Sequence, residues 1–131
     1  MTAGEKNFNS WNEKKKRIEK RLIVPNFSER DIWWCALGLN VGYEEDGKHA
    51  DFERPICILR KFNKDIFIGL PLTSVRKNNP YYFPHQLHDT CGSILLSQAR
   101  ILSAKRLERK LGRLGRGRFM ELRKKYRDLY L

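Results

Sequence analysis

Long apolar runs are missing from this sequence. No stretch reaches ~18 consecutive apolar residues, the length that a membrane-spanning helix needs. The first 20 residues contain no apolar segment that could serve as a signal peptide. We therefore expect a soluble protein that stays in the cytoplasm.

Cysteine and histidine are too few and too scattered for a metal centre. The three cysteines, Cys35, Cys57 and Cys91, form no CxxC pair, and an odd number of distant thiols gives no disulfide framework. His85 and His88 form a lone HxxH fragment, which favours a solvated loop over a ligand pair. We expect neither a metal nor another cofactor.

Acidic residues are scarce near both ends of the chain. The formal net charge is +12 at pH 7. Residues 1–30 carry +4 and residues 101–131 carry +8, whereas residues 31–100 are neutral. Basic ends around a neutral middle suit a polyanionic partner, either nucleic acid or an acidic protein segment. Charge alone also allows a second interpretation, in which lysine-rich helices are simply solvated.

A helix is predicted near the N-terminus. Ser10 and Glu13 have the S-x-x-E spacing of a capping box, so the helix should begin there and end before Pro25. One side of it is rich in lysine, and we expect it to lie on the domain rather than at its centre. Its apolar residues form a narrow stripe, made of Trp11, Ile18 and Leu22.

The middle of the chain has strand patterns. Residues 54–62 and 66–74 are largely apolar runs separated by three polar residues, which predicts a β-hairpin. Further strands are predicted over residues 31–39 and 93–102, with a brief strand inside the long loop 75–91.

The C-terminal part is predicted to be helical. Ser103 can cap a short helix over residues 104–114, in which Leu107 and Leu111 stack one turn apart. A last helix over residues 118–131 repeats apolar residues at helical spacing.

The fold class follows from this order of elements. About five short strands with helices mainly at the ends predict an α+β domain built on an antiparallel sheet. A sheet of this size is expected to curl into a small, partly open barrel. We assign residues 1–28 to a basic helical extension and residues 29–131 to the barrel domain.

Several motifs occur in a familiar order over residues 30–114. The segments are RDIWWCALGLNVGYE, RPICIL, LPLTS and SILLSQARILSAKRL. They resemble the MazF/PemK toxins of bacterial type II toxin–antitoxin systems, in which a G-x-E loop, an R-P strand, a T-[ST] strand end and a Q-x-R strand succeed one another. The resemblance leaves out the N-terminal helix.

The resemblance implies a fold, an activity and partners. The fold is an SH3-like barrel that forms a homodimer. The activity is metal-independent cleavage of single-stranded RNA, such as mRNA, at short motifs, leaving 2′,3′-cyclic phosphate and 5′-hydroxyl ends. The protein partner is an acidic antitoxin. A runner-up function on the same barrel is a non-catalytic toxin that binds RNA, DNA or a protein target such as gyrase.

Three residues are candidates for catalysis through their match to these motifs. Arg54 can bind two phosphate oxygens with its planar guanidinium, Thr73 can donate a hydroxyl hydrogen bond, and Glu44 can act as a base or orient Arg54. Each also has a structural alternative. Arg54 can pair with Glu53 or Glu44, Thr73 can cap a turn, and Glu44 can be solvated.

One position departs from the family pattern. Many members carry an acid directly before the Gln of the Q-x-R strand, but this chain has Ser97 there, and a neutral Ser cannot serve as a carboxylate base. His88 or His85 could take over proton transfer, because imidazole titrates near neutral pH. Contacts with RNA are expected from Ser74, Ser97, Gln98, Arg100, Arg76, Lys77, His88 and Tyr82.

Two adjacent tryptophans complete the list of candidates. Trp33 and Trp34 follow each other in a predicted strand, so they point to opposite faces. One belongs to the core, and the other is expected at a dimer interface or stacked on a base.

Overall fold

Seven strands form the body of the described structure, with one α-helix before them in the chain and another after them. The structure is a computed structural model that describes residues 7–38, 52–88 and 90–130. No helix within these residues is long and apolar enough to cross a membrane. The helices are α1 (Phe8–Glu19) and α2 (Arg116–Tyr130), and the strands are β1 (Asp31–Ala36), β2 (Glu53–Lys61), β3 (Ile66–Thr73), β4 (Tyr82–Leu87), β5 (Thr90–Leu95), β6 (Arg100–Ser103) and β7 (Leu107–Arg113).

The predicted hairpin is confirmed and forms the centre of the sheet. Strands β2 and β3 pair antiparallel, with Ile56 opposite Pro71 and Ile58 opposite Gly69. The turn between them is closed by Asn63, whose Oδ1 accepts hydrogen bonds from the backbone N–H groups of the two residues that lead into β3. An Asx turn of this kind satisfies backbone donors that no strand partner reaches.

Strand β3 changes its partner along its length, and this curls the sheet. Residues 66–69 pair with β6, whereas Leu72 and Thr73 pair with β5. Across the sheet, hydrogen-bonded neighbours follow the order β4-β5-β3-β2-β1-β7. The result is a curled antiparallel half-barrel with two α-helices, which confirms the predicted α+β class and the partly open barrel.

The central strands are buried on both faces, which explains their nearly continuous apolar sequence. Ile56 and Ile58 on β2 face one apolar cluster, which also contains Trp33 and Phe67. Cys57 faces the other cluster. The second cluster is closed by α2 and the β4–β5 hairpin through Phe119, Leu122, Phe83 and Ile94.

Helix α1 lies on the sheet as expected, but its boundaries differ from the prediction. Asn7 is the N-cap and accepts a hydrogen bond from the Ser10 N–H at 3.0 Å, so Ser10 lies inside the helix. The helix ends at Glu19, because Arg21 turns back to bind Glu108 on β7 at 3.0 Å. Leu22 was predicted on the apolar stripe, yet it is 98% exposed.

The predicted short helix over residues 104–114 is wrong. Only Ala104–Arg106 forms a single 3-10 turn, capped by Ser103, and the following residues form β7. Strand β7 pairs with β1, whose edge would otherwise be open. The hydrogen bonds of that edge outweigh a modest helix preference. Leu107 and Leu111 therefore do not stack one turn apart but enter different apolar clusters.

The predicted strand over residues 93–102 is also interrupted. It breaks into β5 and β6 around a 3-10 turn at Leu96–Gln98. The break occurs where the chain leaves the β4–β5 hairpin and crosses to the first half of β3. A sheet that curls cannot keep one straight strand on both halves of β3, and the turn supplies the change of direction.

A buried aspartate holds the start of β1. Asp31 is 2% exposed and accepts hydrogen bonds from the Ser28 N–H at 2.8 Å and the Trp33 indole at 3.3 Å. Its other oxygen binds Arg113 at 3.0 Å and Lys110 at 3.3 Å. A buried carboxylate with this many donors is compensated, and removing it would leave two cations on β7 without their partner.

Candidate active site

A cavity of about 360 Å³ opens where β2 begins and β3 ends. The cavity is walled on its other side by the β4–β5 hairpin and by β7. Its lining combines apolar side chains with a few polar groups, as in many ligand sites. The lining residues are Trp34, Glu53, Arg54, Pro55, Leu72, Thr73, Ser74, His85, Leu87, His88 and Leu111.

Arg54 reaches this cavity from a buried position. It is only 5% exposed, although it stands second in β2. Its Nη1 donates a hydrogen bond to the Leu72 carbonyl oxygen at 3.0 Å, which fixes the guanidinium beside the last residues of β3. A guanidinium held in this way needs little reorganisation before it binds an anion.

The end of β3 brings two hydroxyl groups to the same cavity. Thr73 Oγ1 accepts a hydrogen bond from the Val75 N–H at 3.3 Å, so the turn-capping alternative is realised. That bond uses an oxygen lone pair and leaves the hydroxyl hydrogen of Thr73 to donate to another group. Ser74 follows directly and is exposed. The motifs predict Arg54 and Thr73 for catalysis and Ser74 for RNA contact, and all three line this one cavity.

Two histidines come from the β4–β5 hairpin. His88 lies at the turn with a positive φ of 53°, and its Nε2 is 3.4 Å from the Leu111 carbonyl oxygen. His85 is 5% exposed, and its Nδ1 is buried without a hydrogen-bond partner among the described residues. The pKa of His85 is lowered by burial first, and then by the positive charges of Arg76 and Arg118.

The brief strand predicted inside the loop 75–91 is present as β4, and its alternation gives a sequence signal for the burial of His85. Residues 82–87 form a strand, so Phe83, His85 and Leu87 alternate toward the same side. Phe83 and Leu87 belong to the apolar cluster closed by α2. An alternating pattern with one histidine between buried Phe83 and partly buried Leu87 predicts that the histidine faces the protein interior.

Glu53 was considered only as a possible partner of Arg54, but it is a lining residue with other contacts. It is 7% exposed and binds Arg109 on β7 at 2.9 Å and Lys14 on α1 at 3.4 Å. Arg109 in turn lies 5.0 Å from the ring of Trp34, the second predicted aromatic, which lines the cavity. Trp33 is in the core, as one of the two was expected to be.

Three predicted RNA contacts lie beside the cavity rather than in its lining. Arg76 donates to the His85 carbonyl oxygen at 2.9 Å, which ties the segment after β3 to β4. The ammonium of Lys77 lies 5.5 Å from the ring centre of Tyr82. Within the part of the chain that the structure describes, these residues form a cationic and aromatic rim next to the histidines.

The remaining predicted residues are elsewhere. Ser97 and Gln98 lie in the 3-10 turn between β5 and β6 and are not among the described lining residues. Arg100 stands opposite Gly69, and its Nη1 is buried with no hydrogen-bond partner among the described residues. Glu44 falls outside the described residues.

The thiols differ in their surroundings. Burial raises the pKa of Cys35 and of Cys57 to about 12, so both stay protonated at neutral pH. Cys91 is exposed. Among residues 7–38, 52–88 and 90–130, no three His, Cys, Asp or Glu side chains come together as a metal site would require.

Solved toxin structures share this half-barrel. MazF from Deinococcus radiodurans has a TM-score of 0.61 at 20% identity, over 82% of this chain and 96% of that one. An endoribonuclease in complex with its cognate antitoxin from Mycobacterial species has a TM-score of 0.56 at 15% identity, over 77% and 90% of the two chains. The Mycobacterium tuberculosis toxin MazF-mt6 gives 0.56 at 16% identity, over 76% and 97%. These TM-scores show that the chain shares a fold of the MazF type.

The shared fold alone does not assign this chain to a family, but its sequence does. No curated protein sequence matches this chain significantly. The profile of the PemK-like, MazF-like toxins of type II toxin–antitoxin systems matches residues 28–130, from just before β1 to the end of α2. The chain therefore belongs to this toxin family, and the resemblance seen in its motifs is confirmed. Helix α1 lies outside the match.

Proposed function

We propose that this protein is an endoribonuclease that cuts single-stranded RNA at short sequence motifs without a metal ion. One observation carries the proposal: Arg54, Thr73 and Ser74 border a single cavity that also holds two imidazoles. These are the groups that phosphodiester cleavage needs when RNA supplies its own nucleophile.

The reaction follows from the chemistry of RNA. The 2′-oxygen attacks the adjacent phosphorus, a new P–O2′ bond forms, and the P–O5′ bond breaks. The products are a 2′,3′-cyclic phosphate and a 5′-hydroxyl. Negative charge grows on the non-bridging oxygens, and Arg54 can neutralise it with two parallel N–H donors. The hydroxyls of Thr73 and Ser74 can donate to the same oxygens.

The cavity suits one unit of an RNA strand. Its volume of about 360 Å³ lies within the ~300–1,000 Å³ that small-ligand sites span. Trp34, Leu72 and Leu87 give it apolar walls against which a base or ribose can pack. Arg76 and Lys77 stand beside it, where flanking phosphates of the strand would pass.

Two partners accompany this function. The net charge of +12 favours an acidic antitoxin segment, which would compete with RNA for the same basic surface. A homodimer would place two such cavities in one particle. Both expectations rest on the family, and size-exclusion chromatography with light scattering measures the second directly.

Cleavage of a long single-stranded RNA in EDTA tests the proposal. We expect cuts at a short motif, mapped by primer extension, with 5′ ends that accept phosphate from a polynucleotide kinase without prior phosphatase treatment. Arg54→Ala should lose the cuts while it keeps its circular dichroism spectrum. Arg60→Ala removes the same charge from an exposed position of the same strand and should cut normally.

The outcomes separate the two candidate functions. Motif-specific cuts that depend on Arg54 but not on Arg60 support the nuclease. A folded wild-type protein that binds RNA yet leaves it intact would overturn the nuclease proposal and leave a non-catalytic toxin. Cuts that need added Mg²⁺ would overturn the metal-independent reaction.

A further inference from the structure

His85 has a buried ring nitrogen whose hydrogen bonding is incomplete. Nδ1 has no partner among the described residues, and the side chain is 5% exposed. Most buried polar atoms in folded proteins are paired, because an unpaired one costs free energy. A buried imidazole that lines a cavity without a full set of partners is therefore a candidate for a role with a ligand.

The register of the β4–β5 hairpin brings His85 next to the end of β3. His85 stands opposite Gly92, so the two residues face the same side of the hairpin. A Cβ built on Gly92 would lie 2.1 Å from the Thr73 carbonyl oxygen and 3.2 Å from the Ser74 Cα. The absence of a side chain at residue 92 thus lets the hydroxyl-bearing end of β3 approach β5, the strand paired with the one that carries His85.

Two arginines bind the backbone around His85. Arg76 donates to its carbonyl oxygen from the segment after β3, and Arg118 on α2 donates to the neighbouring Pro84 carbonyl oxygen. Arg54 from β2 and His88 from the hairpin turn line the same cavity. Burial first, and then the charges of Arg76 and Arg118, lower the pKa of the imidazole below its usual value, so the ring is neutral near pH 7 and able to accept a proton.

The other candidate groups fit the task less well. His88 is exposed, and its Nε2 already lies near the Leu111 carbonyl oxygen. Ser97 replaces the acid of many relatives, and it lies in the turn between β5 and β6 instead of in the described lining. Among the described side chains that line the cavity, His85 combines burial with a ring nitrogen that lacks a partner.

We propose that His85 is the general base that removes the proton of the RNA 2′-hydroxyl in this cavity. The proposal rests on the endoribonuclease function proposed above. After a rotation of the ring about its Cβ–Cγ bond, an imidazole nitrogen takes the 2′-hydroxyl proton as the 2′-oxygen bonds to phosphorus. The P–O5′ bond breaks, and the departing 5′-oxygen receives a proton from solvent water. Arg54 holds the phosphate throughout.

Single-turnover cleavage by His85→Asn and His85→Gln tests this role. We expect both variants to lose about 10²–10⁴-fold in rate, as the removal of a general base does. Their affinity for an oligonucleotide with 2′-deoxyribose at the cleavage position should stay the same, because that probe lacks the nucleophile. Gln86→Asn, at the exposed position next to His85 on β4, is the matched control and should keep most of the rate.

The pH profile distinguishes a base from a merely structural histidine. The logarithm of the wild-type rate should rise with pH and level off above the pKa of His85, and this limb should vanish in both variants. A structural role would lower the rate without removing the limb. An unchanged rate, or a retained limb in folded variants, would overturn the assignment.

A measurement on the wild-type protein covers the case in which the variants do not fold. The chain has three histidines, so ¹³C-labelled imidazoles can be titrated individually by NMR. The His85 signal should titrate below pH ~6.5, at the midpoint of the rate profile, and shift when the 2′-deoxy oligonucleotide binds. A different midpoint or no shift on binding would overturn the proposal.

Failure of this proposal is separable from failure of the nuclease function. If wild-type protein cuts RNA and the His85 variants cut equally well, the nuclease stands and the base is another group. If wild-type protein does not cut at all, both proposals fall together.

Discussion

The guanidinium of Arg54 and the carbonyl oxygen of Leu72 form a hydrogen bond of 3.0 Å that joins the start of β2 to the end of β3. The accepting carbonyl belongs to the residue before Thr73. The bond means that the Arg54 guanidinium and the Thr73 hydroxyl are positioned together by the strands and not by a loop. Sites built on strands hold their geometry better than sites built on loops.

The shape of the Arg54 side chain should matter as much as its charge. Arg54→Lys keeps one positive charge but loses the planar fork and the bond to Leu72. We expect the rate of RNA cleavage to fall by about 10²–10³-fold, the loss seen when one preorganised donor is removed. Single-turnover kinetics measure this, with Arg60→Lys as the control on the same strand. Equal rates for the two variants would contradict a bidentate role.

Gly92 should be intolerant of even one extra carbon. A Cβ there would lie 2.1 Å from the Thr73 carbonyl oxygen, which belongs to the backbone and cannot rotate away. Gly92→Ala is expected to reduce the free energy of unfolding by about 1–3 kcal/mol, as overpacking does. Urea denaturation measures the change.

A second glycine offers the comparison for this experiment. Gly117, in the first turn of α2, has no heavy atom within 4 Å of its Cβ position, so Gly117→Ala should be neutral or raise the free energy of unfolding by about 0.4–1 kcal/mol. If both alanine variants unfold at the same urea concentration, the close approach at residue 92 does not exist in solution.

Trp11 should anchor α1 to the sheet. It is 6% exposed, and its indole fills the space at Gly38, where a Cβ would lie 1.9 Å from the ring. Trp11→Ala is expected to cost about 3–5 kcal/mol of the free energy of unfolding. Phe8→Ala, at a position that is 50% exposed on the same helix, should cost far less. Similar losses from the two variants would argue that α1 does not dock.

The ionisation of Asp31 should make the free energy of unfolding depend on pH. Burial alone raises its pKa, but hydrogen bonds from the Ser28 N–H, Arg113 and Trp33, together with the charge of Lys110, outweigh burial and lower it. A carboxyl whose pKa is lower in the folded state stabilises the fold above its unfolded pKa of about 3.9. That stabilisation is lost as the pH falls through the folded pKa.

The variant Asp31→Asn isolates this contribution. It should lower the free energy of unfolding at pH 7 by about 3–5 kcal/mol, because two cations on β7 lose a buried partner. The difference between wild type and variant should shrink in acid, measured by urea denaturation between pH 7 and pH 2. Asp128→Asn, an exposed position on α2, should leave the curve unchanged. A difference that stays constant with pH would contradict the assignment.

The parts of the fold that could be predicted from sequence have strong local patterns. The hairpin of β2 and β3 follows from two apolar runs around Asn63, and α2 follows from its helical spacing. The parts that could not be predicted depend on distant partners. Leu107–Arg113 forms a strand because the free edge of β1 offers hydrogen-bond partners. Nothing in the sequence of that segment indicates that this edge is available.

The candidate site divides in the same way. Arg54 and Thr73 were identified from motifs, and their shared cavity agrees with that grouping. The sequence favoured His88 over His85 as a site residue. The two imidazoles differ in burial, and burial is a property of the packed molecule that the sequence does not show. Glu53 looked like a partner for its neighbour Arg54, yet Lys14 and Arg109 bind its carboxylate from elements far away in the chain.

By itself, the sequence determined which segments must be buried and which chemical groups are present: apolar runs that cannot stay in water, a basic surface, the guanidinium of Arg54 and the hydroxyls of Thr73 and Ser74. The tertiary structure alone decided where those groups meet. Strand β3 changes its partner from β6 to β5, and the resulting curl places the β4–β5 hairpin, with His85, beside the start of β2. Pairing between distant strands sets that geometry, and hydrogen bonds between residues far apart in the chain leave no local pattern to read.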